Sequence, residues 1–214
     1  MANLLLEVET EEFVEARVVH VGDRAIRFER FVEMANRRDL ELVSGIIVEK
    51  PMVQLDHERC SRWLYQFLDQ YVEERGLGEM LSSRIMVKTD DFGGRMPDLL
   101  FVRQERLDII QQKAVYGAPD LVIEIVSAND RPSDLRSLEA DYSRLGVGEL
   151  MFVDLRKQEI RLLRRRKEAY AETVITAGEV MLEMIPEMKL QAEWILQERR
   201  PPVRTLLNLQ FTTT

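Results

Sequence analysis

The 214 residues set 30 Lys and Arg against 38 Asp and Glu, a formal charge of −8, which excludes a chain that grips nucleic acid through its overall field, because phosphate binding rests on Lys and Arg. Hydrophobic residues make up 45%, which excludes wholesale disorder and predicts one core-bearing domain with additions at its ends. A single cysteine, Cys60, excludes an intrachain disulfide and a thiolate zinc cluster; with no leader pattern and no membrane-length apolar run, a soluble cytoplasmic protein without a membrane partner is expected.

In chain order, residues 1–26 read as an N-terminal arm carrying one strand, 27–192 as the folded domain and 193–214 as a polar C-terminal tail with Pro201 and Pro202. Phe28, Phe31, Val32 and Ala35 fall at helical spacing and predict a short helix to Asn36. Glu41–Glu49 reads as a strand pair turning at Gly45 and broken by Pro51. Asp56 is placed to cap a long helix to about Glu74, with an apolar stripe through Trp63, Leu64, Phe67, Leu68 and Tyr71, ended by Gly76-Leu77-Gly78. Strands follow at Glu79–Val87 and Met96–Val102 around a turn at Asp90–Gly94, then at Leu121–Val126. A helix through Leu135, Leu138, Tyr142 and Leu145 stops at Gly146-Val147-Gly148 before a buried strand at Glu149–Asp154. Antiparallel strands at Glu159–Arg164 and Tyr170–Thr176 lead to a last segment at Val180–Leu190.

The most informative residue is Glu124, alone among apolar neighbours in Leu-Val-Ile-Glu-Ile-Val, because an unpaired carboxylate in an interior strand costs several kcal/mol and calls for a cation, a metal or a proton. Asp98 follows Pro97 at the start of the preceding strand, and two carboxylates on neighbouring strands can hold one Mg²⁺ or Mn²⁺, which favour oxygen ligands. Two structural alternatives stand beside this: Asp98 bonding turn amides, and Glu124 paired with Arg95 or Arg131. His57, at a helix entry, lines the cleft or bonds nearby backbone, and His20 belongs to the arm. Arg161, Arg164, Arg165, Arg166 and Lys167, with Arg199, Arg200 and Arg204, form either a local DNA-facing patch or a solvated face. Trp63, Phe67 and Tyr71 read as core rather than as a base-stacking platform, and Asp90–Gly94 as a turn rather than a calcium loop. Without a glycine-rich phosphate loop, a serine elbow or a spaced histidine cluster, a small-molecule hydrolase or transferase has little support.

Pro97-Asp98-Leu99-Leu100-Phe101-Val102, Gly117 through Glu124 to Ser127, Asp134 through Tyr142, Gly146-Val147 and Phe152-Val153-Asp154 together resemble the Uma-two-type restriction endonuclease family of the PD-(D/E)XK nuclease superfamily, over roughly residues 28 to 190. The resemblance implies an α/β (α+β) fold with a restriction-endonuclease-like central mixed β-sheet flanked by helices. It also implies a Mg²⁺- or Mn²⁺-dependent DNA endonuclease in which Asp98 and Glu124 hold the metal and His57 or Arg136 assists. Two positions depart from the family pattern: Ile46 stands where an acid follows the hairpin glycine, and Leu138 where a lysine precedes the helix tyrosine by four residues. Glu41 or Glu49 is a candidate replacement for the acid. Arg136, which stays protonated, can clamp phosphate but activates water poorly. These departures leave an alternative reading, a catalytically inactive nuclease-like module for binding or assembly, a homodimer included.

Overall fold

The computed structural model describes residues 17–20, 25–34, 40–50, 54–82, 85–127, 130–167 and 169–211; of the N-terminal arm only Arg17–His20, Ala25 and Ile26 fall among them, and Pro51 and the end of the first predicted helix beyond Met34 lie outside them. The chain runs through β1 (Arg17–His20), α1 (Phe28–Met34), β2 (Leu40–Val43), β3 (Ile46–Glu49), α2 (Leu55–Arg75), β4 (Gly78–Ser82), β5 (Val87–Asp90), β6 (Gly93–Arg95) and β7 (Leu99–Arg103). After a 3₁₀ turn at Gln104–Ile109 come β8 (Leu121–Val126), α3 (Pro132–Leu145), β9 (Glu149–Asp154), β10 (Glu159–Arg166), β11 (Ala169–Ile175), α4 (Ala192–Leu196) and α5 (Val203–Phe211).

Two sheets result. The larger has the order β11-β10-β9-β8-β7-β4, with β8 and β9 parallel and the other pairs antiparallel; the smaller is antiparallel in the order β1-β3-β2-β6-β5. The mixed sheet flanked by helices agrees with the fold implied by the sequence. A parallel β8–β9 pair needs a crossover connection, and α3 supplies it. Because strand side chains alternate, Leu121, Ile123 and Ile125 face a core shared with α2, while Val122 and Val126 face a second core that includes Tyr142 of α3. A third cluster packs Phe28 and Phe31 of α1 on the small sheet.

Local chemistry explains most boundaries. Ser44 (φ 50°) and Gly45 (φ 78°) are both left-handed, the pairing that closes a two-residue hairpin between β2 and β3 with the right strand twist. Gly76 ends α2 in the left-handed region and returns its amide to Glu73 and Val72 carbonyls. At the other end the N-cap is Gln54, and Asp56 lies inside the first turn, where its charge favours the amide end of the helix.

Four expectations change. The predicted Glu79–Val87 strand divides into β4 of the large sheet and β5 of the small one. The predicted Met96–Val102 strand begins only at Leu99, because Pro97 has no amide to give a ladder, and the chain passes between sheets at Met96-Pro97-Asp98. Residues 180–190 form no strand, yet Val180, Leu182, Ile185, Met188 and Leu190 are buried in the α2 core. In place of the polar tail expected over 193–214, α4 and α5 pack there too, through Ile195, Leu196, Leu206 and Leu207. Trp63 Nε1 donates to the Pro201 carbonyl at 2.7 Å, fastening this segment to α2.

Leu207→Ala is therefore expected to cost about 2–4 kcal/mol in urea denaturation, the cavity cost of a buried leucine, where a solvated tail would lose under about 0.5 kcal/mol.

Candidate active site

The antiparallel ladder between β7 and β8 pairs Leu99 with Ile123, Leu100 with Val122 and Phe101 with Leu121. One step beyond, Asp98 comes level with Glu124, and the alternation that sends Val122 and Val126 towards α3 sends Glu124 the same way. The two carboxylates predicted from sequence are thus brought together by register.

Each is held from a different helix. His57, in the first turn of α2 and 8% exposed, donates through Nε2–H to Asp98 Oδ2 at 2.9 Å, and the Ile125 amide donates to the same oxygen at 2.8 Å. The bond to a carboxylate assigns the Nε2–H tautomer or the imidazolium. His57 Nδ1 is buried and has no hydrogen-bond partner among the described residues. From α3, the Tyr142 hydroxyl donates to Glu124 Oε1 at 2.7 Å. These bonds fall on Oδ2 and Oε1, leaving Asp98 Oδ1 and Glu124 Oε2 without a protein partner among the described residues.

The small sheet contributes the other half of the site. Glu41 of β2 accepts the Met96 amide at 2.9 Å and an Arg95 guanidinium hydrogen at 3.2 Å, and Arg95 goes on to Asp141 at 2.7 Å and Ser137 at 2.8 Å on α3. Lys50, just past β3, donates from Nζ to the Met96 carbonyl at 2.7 Å and lies 3.8 Å from Glu41. Met96 is therefore gripped at both its amide and its carbonyl, two residues before Asp98. Asp130, which accepts the Ser127 amide at 2.6 Å, completes the acidic surroundings of Lys50.

Burial and charge push these groups apart. Burial raises the Glu124 carboxyl to about 8; the charge of Lys50 opposes the rise, and that of Asp98 adds to it. Burial also works against ionised Asp98, but the His57 bond, Lys50 and the Ile125 amide outweigh it and hold its pKa below the usual range. Burial disfavours the Lys50 ammonium too, and the carboxylates of Glu41, Glu124, Asp98 and Asp130 reverse that effect and raise its pKa. Near neutral pH the pair holds one proton on Glu124 and one negative charge on Asp98.

A hard divalent cation fits this donor set. Mg²⁺ is held by one or two carboxylates and keeps several waters, and Asp98 Oδ1 and Glu124 Oε2 are free to serve it, whereas no group of three or more His, Cys, Asp or Glu side chains among the described residues forms a closed metal cage.

Of the other residues read from sequence, Arg136 is exposed on α3 and has no bond to any of these groups among the described residues. Arg95 is engaged with Glu41 and Asp141, and Glu124 takes a phenol instead of a guanidinium. Between Glu41 and Glu49, Glu41 is the acid bonded to Arg95 and Met96. Leu138 packs against the core of Val122, Val126 and Tyr142, and Ile46 is 39% exposed on β3. Three arginines of the basic run on β10 are matched by acids: Arg161 pairs with Glu139 and Glu172, Arg164 with Glu149 and Glu183, and Arg166 with Glu183, while Arg165 donates to the Ser143 carbonyl. Trp63, Phe67 and Tyr71 lie in the core, as expected, and Cys60 is buried. Sequence reading missed Lys50 and Asp130: a lysine between a strand and a proline looks like an edge charge, and Asp130 like a loop residue.

No helix among the described residues is long and apolar enough to cross a membrane. Comparison with curated proteins yields no match. Among solved structures, the crystal structure of a "putative nuclease belonging to DUF820" from Anabaena variabilis ATCC 29413 superposes with a TM-score of 0.69 at 16% identity, covering 80% of this chain and 97% of that one, a likeness of fold. A family model described as "Uma2: Putative restriction endonuclease" matches residues 28–194, from the start of α1 into α4, and takes in both carboxylate strands, α2 and α3. That span is most of the sequence and all of the site, and on it the chain belongs to the Uma2 family of putative restriction endonucleases.

Proposed function

We propose that the protein is a Mg²⁺- or Mn²⁺-dependent DNA endonuclease with Asp98 and Glu124 as its metal ligands. The observation that carries this is the register that sets an ionised Asp98 level with a buried Glu124, each with one oxygen spare, in a chain of this family. A divalent cation there supplies a polarised water and offsets the charge that develops on the phosphodiester. The protein's own part is positional. His57 and the Ile125 amide fix the Asp98 carboxylate so that Oδ1 stays open, and Tyr142 does the same for Glu124 Oε2. Glu41 and Lys50 clamp the Met96 backbone that carries Asp98 into place. Arg136, exposed and outside this cluster, is not assigned a role.

The second reading, an inactive nuclease-like module, is favoured by Leu138 standing in apolar packing where the family has a lysine. Titrating Mn²⁺ into wild type and Asp98→Ala, with plasmid nicking on the same preparations, separates the two. Saturable uptake and nicking that both fall by more than about 100-fold in Asp98→Ala support the nuclease. A wild type that neither takes up the ion nor nicks supports the inactive module.

His57→Ala leaves both ligands in place but frees Asp98 to rotate, and is expected to lower nicking by about 10- to 100-fold in single-turnover assays.

Glu124 gives the pH dependence its sign. Its folded pKa of about 8 lies above the ordinary 4.5, so the cation-free fold gains from the bound proton below that ordinary value and loses that contribution as pH rises through about 8. Over this window Glu124→Gln is expected to flatten the stability profile by close to one proton, ~1.4 kcal/mol per pH unit. A cation must displace the same proton, so Mg²⁺ affinity in wild type rises by about tenfold per pH unit up to about pH 8, then levels off. Calorimetry in buffers of different ionisation enthalpy checks the accompanying proton release.

A further inference from the structure

Lys50 is the one ammonium group that the described residues bring among the site's carboxylates, and the proposed mechanism so far gives it only a grip on Met96. Its Nζ uses one of three hydrogens on the Met96 carbonyl, and the Glu41 oxygen at 3.8 Å is beyond hydrogen-bond range. Among the described residues two donors are therefore left over. The side chain keeps 32% of its surface exposed, against 8% for Glu41, so part of it is open to solvent at the edge of the cluster. The nearby guanidinium, Arg95, is only 8% exposed and is taken up by Glu41, Asp141 and Ser137, and Arg136 lies outside the cluster.

A lysine charge at the edge of an acidic cleft answers a physical difficulty. The surroundings of Asp98 repel a phosphodiester, and the whole protein carries −8, so a substrate phosphate needs a local cation besides any metal ion. Of the β10 arginines, Arg161, Arg164 and Arg166 are neutralised by Glu139, Glu149, Glu172 and Glu183, and Arg165 donates to the Ser143 carbonyl.

We propose that Lys50 is a catalytic residue of this site, its ammonium binding a non-bridging oxygen of the scissile phosphate. The inference rests on the nuclease reading and deepens it. Lysine is suited to this as a compact charge with free donors. It forms no covalent bond and gives up no proton in the reaction; it offsets the charge that grows on the phosphoryl oxygens as water adds to phosphorus and the ester oxygen leaves.

The test compares wild type with Lys50→Gln, which keeps a donor for the Met96 carbonyl and removes the charge. A short fluorescein-labelled DNA duplex is titrated in Ca²⁺ across a range of salt, and plasmid nicking is measured in Mn²⁺. Lys50→Gln is expected to bind the duplex about tenfold more weakly, to nick about 100-fold more slowly, and to lose about 0.9 from the slope of log affinity against log salt. A lysine that only holds Met96 would leave that slope unchanged. As a check that does not depend on the variant folding, ¹⁵N-lysine-labelled wild type should show an ammonium signal, absent from Lys50→Arg, that shifts on adding duplex.

Wild-type affinity and salt slope in folded Lys50→Gln, or an ammonium signal indifferent to duplex, overturns the Lys50 assignment and leaves the nuclease reading standing if wild type nicks. Lys50-dependent binding in a protein that does not nick upholds the phosphate contact and overturns the nuclease reading. Neither binding nor nicking in wild type overturns both.

Discussion

A carboxyl group in the middle of an interior strand is the constraint around which this structure is organised. Glu124 lies in β8 with only 6% of its surface exposed, and an isolated charge there would cost several kcal/mol. The fold meets that cost by degrees: a phenol from α3 bonds one oxygen, an ammonium from beyond β3 lends its charge, and a retained proton does the rest. Each contribution comes from a different element, so the strands, the crossover helix and the smaller sheet must all be in place before β8 is comfortable. The second carboxylate makes matters worse electrostatically, which is why Asp98 is ionised only with His57, Lys50 and a backbone amide directed at it.

The smaller sheet is easily mistaken for an appendage. Its connection to the site runs through one stretch, Met96-Pro97-Asp98, where the chain leaves β6 and enters β7. Glu41 ties the start of that stretch to Arg95 and so to α3, while Lys50 holds the Met96 carbonyl. Removing a partner from such a buried ionic network leaves charges stranded, so this region is expected to tolerate change poorly even at residues that touch no substrate.

What the sequence made legible follows from how local each signal was. Glu124 stood out because its neighbours are apolar, and the pairing of Asp98 with it needed only adjacent antiparallel strands. The reach of His57 to Asp98, 41 residues away, was readable only as a position at a helix entry. Arg136 stands apart from the cluster for a geometrical reason: six residues from Tyr142, it lies about a third of a turn round α3 from the face that meets Glu124, whereas Leu138, four residues away, shares that face. Lys50 had no signature, since its role depends on where β3 ends in space. The C-terminal helices were concealed by polar composition, although Pro201 and Pro202 directly before Val203 are a common way to begin a helix, and Leu206, Leu207 and Gln210 mark its buried face.

The seam between α2 and the last described residues has a consequence for the order in which the protein is made. Trp63 finds its partner carbonyl 138 residues later, and Cys60, one turn from His57, lies within the electrostatic reach of both Arg200 and Asp98. The wall behind the histidine is thus built by residues that leave the ribosome after both carboxylate strands have emerged. Contacts of such long range form late and slowly. During synthesis the two acids can pair across their strands while the helix that orients Asp98 still lacks its outer packing, so a growing chain carries the parts of the site well before it carries the site.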